Sequence, residues 1–368
     1  MLKAAIIGVG RQGGKYYKYF LDNKIVGAKL VAVCDIRNER LNELNIPSNI
    51  KQYVSYDEMF ENESLDFVII NTPHYVHPEI SKAALLKNIH VLCDKPIGVY
   101  ANDAVDIKKY ESNSSASFTM LFNQRMHPVY NRIKEIISTN KLGKIKRCIW
   151  QITDWYRPQK YYELGDWHST WSGEGGGVLI NQSVHNFDLL AYFFGLPKKI
   201  SSSVQYGVFH NTKVDDSAIA NLFYEDFVCT VITSTGECPG TNRLEISGDK
   251  GKLVYDEFDK LKLTYNEISE TEFSKTAVAP PNSIKFGKPK TYEEVEYFDA
   301  KTDTHLSFIN KYISDISNSC ATLTGYMDGI MCLHIINGIY FSDWISSMVT
   351  IPVDGNKFEE KLKERFEQ

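Results

Sequence analysis

Ala4-Ala-Ile-Ile-Gly-Val-Gly-Arg-Gln-Gly13, written AAIIGVGRQG, decides how the first third of the chain is read. A short apolar run ends in G-x-G-x-x-G, and a helix-compatible stretch from Lys15 to Leu21 follows. Gly8, Gly10 and Gly13 then have separate roles: a tight turn, close approach of backbone to a diphosphate, and close helix–sheet contact. Free N–H groups at the start of the helix hold the diphosphate, with Arg11 and Gln12 in the same loop as further cofactor candidates. A chance glycine loop has the same spelling, so the flanking runs must arbitrate.

Working outward, the apolar run Ala28 to Cys34 ends at Asp35, about 20 residues beyond the glycines, where an acidic side chain can accept from both adenosine ribose hydroxyls. The same carboxylate repels a 2′-phosphate, which favours NAD over NADP. Arg37 argues the other way, because a nearby guanidinium tolerates that phosphate, and Asp35 also has the plain reading of a helix cap or a solvated turn. Phe67-Val-Ile-Ile70 has the unbroken apolarity of a strand covered on both faces. It ends in Asn71-Thr72-Pro73, with His74 and His77 close behind, where the ligand-binding loops of an open parallel sheet belong. Either histidine could cap the next helix or support the nicotinamide ribose. A helix over 78–88, the strand His90–Cys93, a helix over roughly 101–111 and a strand over 117–122 complete a doubly wound sheet. Lys95, in Asp94-Lys95-Pro96, is either a solvated strand-end group or an active-site amine at the rim of the cofactor site.

After Phe122 the character changes. A helix over 129–137 precedes the alternating stretch LGKIKRCIWQITDWY, and then come Trp155, Tyr156, Arg157, Tyr161, Tyr162, Trp167, His168 and Trp171. Such a density of rings with hydrogen-bonding edges suits a sugar-like ligand, while a crowded interdomain core is the plain alternative. Gly175-Gly-Gly177 leads into a helix expected from about Val178 to Phe194, with Asn181, His185 and Asp188 along one broad face. His185 is then either a satisfied core histidine or a functional one. Successive strand-like runs from 203 to 265 argue for a large, open, mostly antiparallel sheet. Residues 271–300 read as an ordered arm or an exposed loop. Helices over about 303–319 and 325–346 close the chain.

Length points to about two domains. The division expected is 1–123, an α/β Rossmann domain, and 124–368, an α/β (α+β) substrate and oligomerisation domain whose end packs back on the first. A formal charge of −5 and the lack of any dense Lys/Arg run give no reason to expect nucleic acid or an anionic membrane as partner. The 7 cysteines are scattered singly without CxxC, so most read as small core residues of a reducing compartment and no metal site is expected. The early apolar run is too short for a signal h-region, and a glycine turn stands where a cleavage site would be. No window reaches the length of a membrane span. The expected location is cytoplasmic.

Taken together, AAIIGVGRQG, AVCD, NTPHYVH, CDKPIGV, GGGVLINQSVHNFDLL and VDDSAIANLFY…EISGDKG resemble the Gfo/Idh/MocA family, the glucose–fructose oxidoreductase and inositol dehydrogenase-like enzymes. The resemblance runs over nearly the whole chain. It implies an NAD-binding Rossmann domain, a second domain whose sheet makes homodimers or homotetramers, and hydride transfer at a secondary alcohol of a sugar, glycoside or cyclitol. In the NQ branch of sugar dehydrogenases, ring carbon 3 of a glycoside is the suggested position. The family's E-K-P lysine falls on Lys95, here after Asp94, and its H-x-x-D histidine falls on His185. Many members have aspartate four residues before that histidine; this chain has Asn181. The implied catalytic set is Lys95, His185 and Asn181. Lys95 joins Asn71, Thr72, Pro73 and His77 at the cofactor, and Arg125, Tyr156, Arg157, Trp167 and His168 join the catalytic set at the substrate. Two other classes share the glycine loop: an NAD(H)-binding regulatory or scaffold protein without turnover, and a glycosidase that oxidises its sugar transiently and retains NAD.

Overall fold

The computed structural model describes residues 1–165, 167–256, 260–299 and 302–367. Strands β1 (Leu2–Ile7), β2 (Ala28–Cys34), β3 (Lys51–Tyr53), β4 (Phe67–Ile70), β5 (His90–Cys93) and β6 (Phe118–Met120) form one sheet in the order β3-β2-β1-β4-β5-β6. Every pairing in it is parallel. The order of strands reverses between β1 and β4, which opens a crevice beyond their carboxyl ends. Helix α1 (Arg11–Leu21) leaves the glycine loop, and α2 (His77–Leu86) follows the loop after β4.

The apolar run at Ala4–Ile7 is continuous because both faces of β1 are covered. Ala5 and Ile7 enter one core with Val68 and Ile70, while Ala4 and Ile6 enter another with Tyr16 and Phe67. The second core is closed by Phe308, Ile309, Tyr312 and Ile313 of a helix late in the chain, Thr304–Ser317. A segment far along the sequence thereby forms part of the wall of the first sheet.

The second sheet contains β7 (Ile145–Ile152), β8 (Lys199–Tyr206), β9 (Asp215–Phe223), β10 (Val228–Ser234), β11 (Asn242–Gly248), β12 (Gly251–Asp256), β13 (Lys260–Asn266), β14 (Thr291–Tyr297) and β15 (Val349–Thr350). They run in the order β14-β13-β12-β11-β7-β10-β9-β8-β15. Neighbours are antiparallel apart from β7 and β10, which pair in parallel from Arg147/Val228 to Ile152/Thr233. Helices α3 (Val184–Phe194) and α5 (Tyr326–Trp344) cover one face, with the Thr304–Ser317 helix, α4, between them in sequence. The face alternation is plain on β9, where Ala218, Ala220 and Leu222 are buried and Ile219 between them is half exposed.

Two expectations change in detail. The stretch expected as an arm or loop, of which residue 300 lies outside the described residues, holds most of a short helix, Glu270–Thr276, and the edge strand β14, whose acidic and mostly exposed side chains discourage further strand pairing. The helix expected from about Val178 begins only at Val184. Asp215 anchors the start of this stretch: its carboxylate accepts from Gly177 N at 2.7 Å and Leu179 N at 2.8 Å, and its backbone carbonyl accepts from Val178 N. Asn181 N and Gln182 N bond the carbonyls four residues back, but Ser183 N bonds Val178, five back, and this shift leaves residues 178–183 in irregular turns ahead of the regular helix. Asn181 therefore lies in a turn ahead of α3, while His185 and Asp188 lie on the helix.

Candidate active site

A cleft of about 1150 Å³ runs from the glycine loop of the first sheet to the irregular turn before α3. Its cofactor end is built by the ends of β1, β2 and β4. A Cβ on Gly13 would lie 1.9 Å from the Gly8 carbonyl oxygen, so α1 can approach the turn only without a side chain there. Gly10, by contrast, faces open space and lines the cleft with Gly8, Arg11 and Gln12. Gly13 does not line it; its part is packing, and the ligand-facing surface belongs to its neighbours.

Asp35 is buried at the end of β2, where its carboxylate accepts from Val9 N and Arg37 N, each at 3.0 Å. These bonds lock the glycine turn to the β2 loop and hold Asp35 on the cleft wall, with Arg37 and Arg40 alongside. Asn71, Thr72 and Pro73 form the floor past β4. Both polar atoms of the Asn71 side chain and the Thr72 hydroxyl are buried without a hydrogen-bond partner. Unpaired polar groups on residues that line a cleft beside an open Gly10 fit a nucleotide with its own donors and acceptors. His77 is a brace rather than a ligand-facing group. Its Nδ1 lies 2.7 Å from the Pro96 carbonyl and its Nε2 2.7 Å from the Thr72 carbonyl, so the ring ties the β4 loop to the β5 loop at the back of the cleft. His74 is buried, with Nδ1 2.7 Å from the Glu174 carbonyl and its ring edge-on to Trp167.

At the other end, Lys95 reaches across from β5. Its Nζ donates to the Asn181 carbonyl at 2.8 Å and to Asn181 Oδ1 at 3.0 Å. Burial pulls the Lys95 ammonium below its ordinary range, while Asp94 and Glu174 pull it back up. His185 lines the same cleft and stacks on Trp155 with ring centroids 6.3 Å apart. Its pKa is pushed well below that of an ordinary histidine, first by burial and then by the Lys95 charge, so the ring is neutral near pH 7. Asn181, Arg157, Trp167 and His168 complete this end, with the Arg157 guanidinium over the rings of Tyr161 (5.3 Å) and Trp155 (5.9 Å). The Gly175–Gly177 run brings the turn in close: a Cβ on Gly176 would lie 2.1 Å from the Tyr340 hydroxyl, which itself donates to Asp215 at 2.6 Å.

Two residues expected at the substrate lie elsewhere. Arg125 is buried away from the cleft, donating to Asp188 from Nε at 3.0 Å and from Nη2 at 2.6 Å, with Asp328 at 2.8 Å. A buried guanidinium needs carboxylates, and it finds them on α3 and α5, which it joins. Tyr156 is 44% exposed and outside the residues lining the cleft, because the chain turns its side chain outward between Trp155 and Arg157. Three residues at the site were not singled out from the linear sequence. Tyr161 accepts from Asn181 Nδ2 at 2.8 Å and Gln182 Nε2 at 3.0 Å; its only hint was membership of the aromatic patch. His305, at the start of α4, meets the Tyr16 hydroxyl at 2.8 Å and Gln12 Nε2 at 3.3 Å, and burial lowers it to about 4. Glu174 sits behind Asn181, almost completely buried. A smaller pocket of about 230 Å³ shares Trp155 and His185 with the main cleft and adds Gln124, His127, Asp154 and Asn242.

Residues 2–122 match the family model described as "Oxidoreductase family, NAD-binding Rossmann fold", and residues 130–254 match the "GFO/IDH/MocA C-terminal domain". The inositol 2-dehydrogenase of Salmonella typhimurium is 30% identical over 148 residues, 39% of this chain and 43% of that protein. This chain spans about half the length of the curated relatives it matches first. Among solved structures, the WlbA dehydrogenase from Bordetella pertussis in complex with NADH and UDP-GlcNAcA superimposes with a TM-score of 0.77 at 19% identity, over 96% of this chain and 99% of that one. A levoglucosan dehydrogenase in complex with NADH and levoglucosan gives 0.76 at 17% identity, over 96% and 100%. At those identities the likeness is one of fold. With residues 2–122 and 130–254 matched by the two halves of one family, the chain belongs to the Gfo/Idh/MocA family, and its first domain is an NAD-binding Rossmann domain.

Proposed function

We propose that this protein is an NAD-dependent dehydrogenase acting on a secondary alcohol of a sugar, glycoside or cyclitol ring. The observation that carries the reading is that Lys95 and His185, far apart in sequence, line one cleft with the glycine loop, close enough for the Lys95 charge to act on His185. A bound nicotinamide supplies the hydride acceptor or donor. The chain supplies position and charge. Gly8, Gly10, Arg11, Gln12, Asp35, Asn71 and Thr72 hold the nucleotide. Arg37 and Arg40 stand close enough to Asp35 to temper, without reversing, its preference for NAD over NADP. His185, neutral and buried, accepts the proton of the substrate hydroxyl. Lys95 stabilises the negative charge that grows on the same oxygen. Asn181 orients Lys95 and the hydroxyl but cannot take a proton.

Arg157, Trp167 and His168 recognise the ring, whose C–H faces stack on aromatic surface while its hydroxyls find polar edges. The inositol and levoglucosan dehydrogenases among the related proteins support a cyclic polyol as the substrate class. Residues 1–123 serve as the cofactor domain and 124–368 as the substrate domain. The open face of the nine-stranded sheet, with Ile219 on it, pairs with a second copy; solution mass measurement tests that pairing. No helix among the described residues is long and apolar enough to cross a membrane.

The test of function is a panel of monosaccharides, glycosides and cyclitols with NAD and NADP supplied separately, followed by reduced-nicotinamide absorbance. NAD reduction by a ring polyol is expected. No reduction with any member contradicts the reading, and NAD retained through purification without net turnover favours transient redox in its place.

A further inference from the structure

Asn181 stands between a group that can only donate and one that can only accept. Lys95 Nζ donates to its Oδ1 at 3.0 Å, and its Nδ2 donates to Glu174 Oε1. An ammonium offers only donors and a carboxylate only acceptors, so the two charges fix which way the Asn181 amide faces. Glu174 is itself immobilised. It is 1% exposed, its other oxygen accepts from Ser169 N at 2.7 Å, and its backbone carbonyl lies 2.7 Å from His74 Nδ1. The chain at 174 thus touches the first-domain loop with its backbone and the catalytic turn with its side chain.

We propose that Glu174 is a positioning residue for catalysis: through the Asn181 amide it aims the Lys95 ammonium at the reacting oxygen and supplies the negative charge that position 181 lacks. The inference rests on the dehydrogenase reading above. Asp94 and Glu174 are the anionic groups that favour the charged form of Lys95, and Arg157 opposes them. Removing the Glu174 charge leaves Asp94 as the main group holding Lys95 charged against Arg157 and burial.

Glu174→Gln changes charge and hydrogen-bond polarity with almost no change of shape. Its amide must place a donor against either the Ser169 N–H or Asn181 Nδ2, so one contact is lost and Asn181 is freed to turn. The expected result is a fall in kcat of about 10²-fold, NAD affinity unchanged, and the basic limb of the pH–rate profile moved to lower pH. Asn181→Asp alone sets two carboxylates against each other and lowers activity as well. Glu174→Gln with Asn181→Asp restores one carboxylate beside Lys95 and a donor facing it from position 174. Its activity is expected to exceed that of either single variant, with the basic limb moved back up. A carboxylate serving only to hold the loop together predicts losses that add.

Lys95 can also be titrated without substrate by NMR of lysine labelled at Nζ, in the folded protein without added ligand. A lower Lys95 titration in Glu174→Gln and its recovery in the double variant support the inference. An unchanged titration, or a double variant worse than both singles, overturns it. That titration needs no turnover, so a wild type inactive on every polyol sinks the dehydrogenase reading and leaves the Glu174 question separately answered.

Discussion

Lys95 and Asn181 are joined twice, through the Asn181 backbone carbonyl at 2.8 Å and its side-chain oxygen at 3.0 Å, and this pair stitches the β5 loop of the Rossmann domain to the turn before α3. One amine thus closes the cleft at the place where the proposed function needs a positive charge. The arrangement explains why residues 178–183 are kept out of the regular helix: a helix begun at Val178 would give the Asn181 carbonyl an internal partner, whereas the Asp215-anchored turn leaves it for Lys95.

Lys95→Ala and His185→Ala are expected to lower kcat by about 10²-fold or more each, with NAD affinity kept within a few-fold. Steady-state kinetics with fluorescence titration of NADH measures both. Loss of affinity together with turnover would place these residues in folding rather than in proton transfer.

The pH profile follows from the two shifts. His185 works as a base only when neutral, and its pKa is depressed from 6.5, so the acid limb of kcat/KM lies below pH 6.5. Lys95 works when charged, and its pKa is lowered from 10.5, so the basic limb lies below pH 10.5. Activity is therefore expected to hold across neutral pH and fall on both sides. An acid limb above pH 6.5 would deny His185 the role of base.

Asp35→Ala is expected to weaken NAD about 10-fold, the effect of about 1.4 kcal/mol, and to narrow its advantage over NADP. The side chain both faces the cleft and braces Val9 N and Arg37 N. Binding titrations with the two cofactors check it, and equal loss for both would assign Asp35 to bracing alone.

Arg125→Met is expected to cost about 3–5 kcal/mol of stability by stranding Asp188 in the core. Arg125→Met with Asp188→Leu should recover much of that. Urea unfolding measures both, and a stable Arg125→Met protein with a raised substrate KM would return Arg125 to the substrate site.

The local parts of the site were legible in the sequence, and the parts made by distant chain were not. G-x-G-x-x-G, Asp35 and Asn71-Thr72 sit at strand ends, where hydrophobic runs and sharp turns mark their place. Lys95 and His185 were legible through the motifs around them. Periodicity put Asn181 on a helix because the Val178–Phe194 stretch is apolar enough for one; the group that takes the Asn181 carbonyl, Lys95, lies far back in the chain. Arg125 looked like a substrate cation until two carboxylates from α3 and α5 met it. His305 reaches the glycine loop only because α4 packs on the first sheet, a long-range pairing that leaves no local pattern.

The most direct measurement is a crystal structure of the ternary complex with NADH and a ring polyol that turns over in the panel. One hydroxyl oxygen is predicted within about 2.6–3.2 Å of both Lys95 Nζ and a His185 ring nitrogen, with its carbon over nicotinamide C4. A polyol bound with Lys95 or His185 turned away from the reacting carbon would contradict the account.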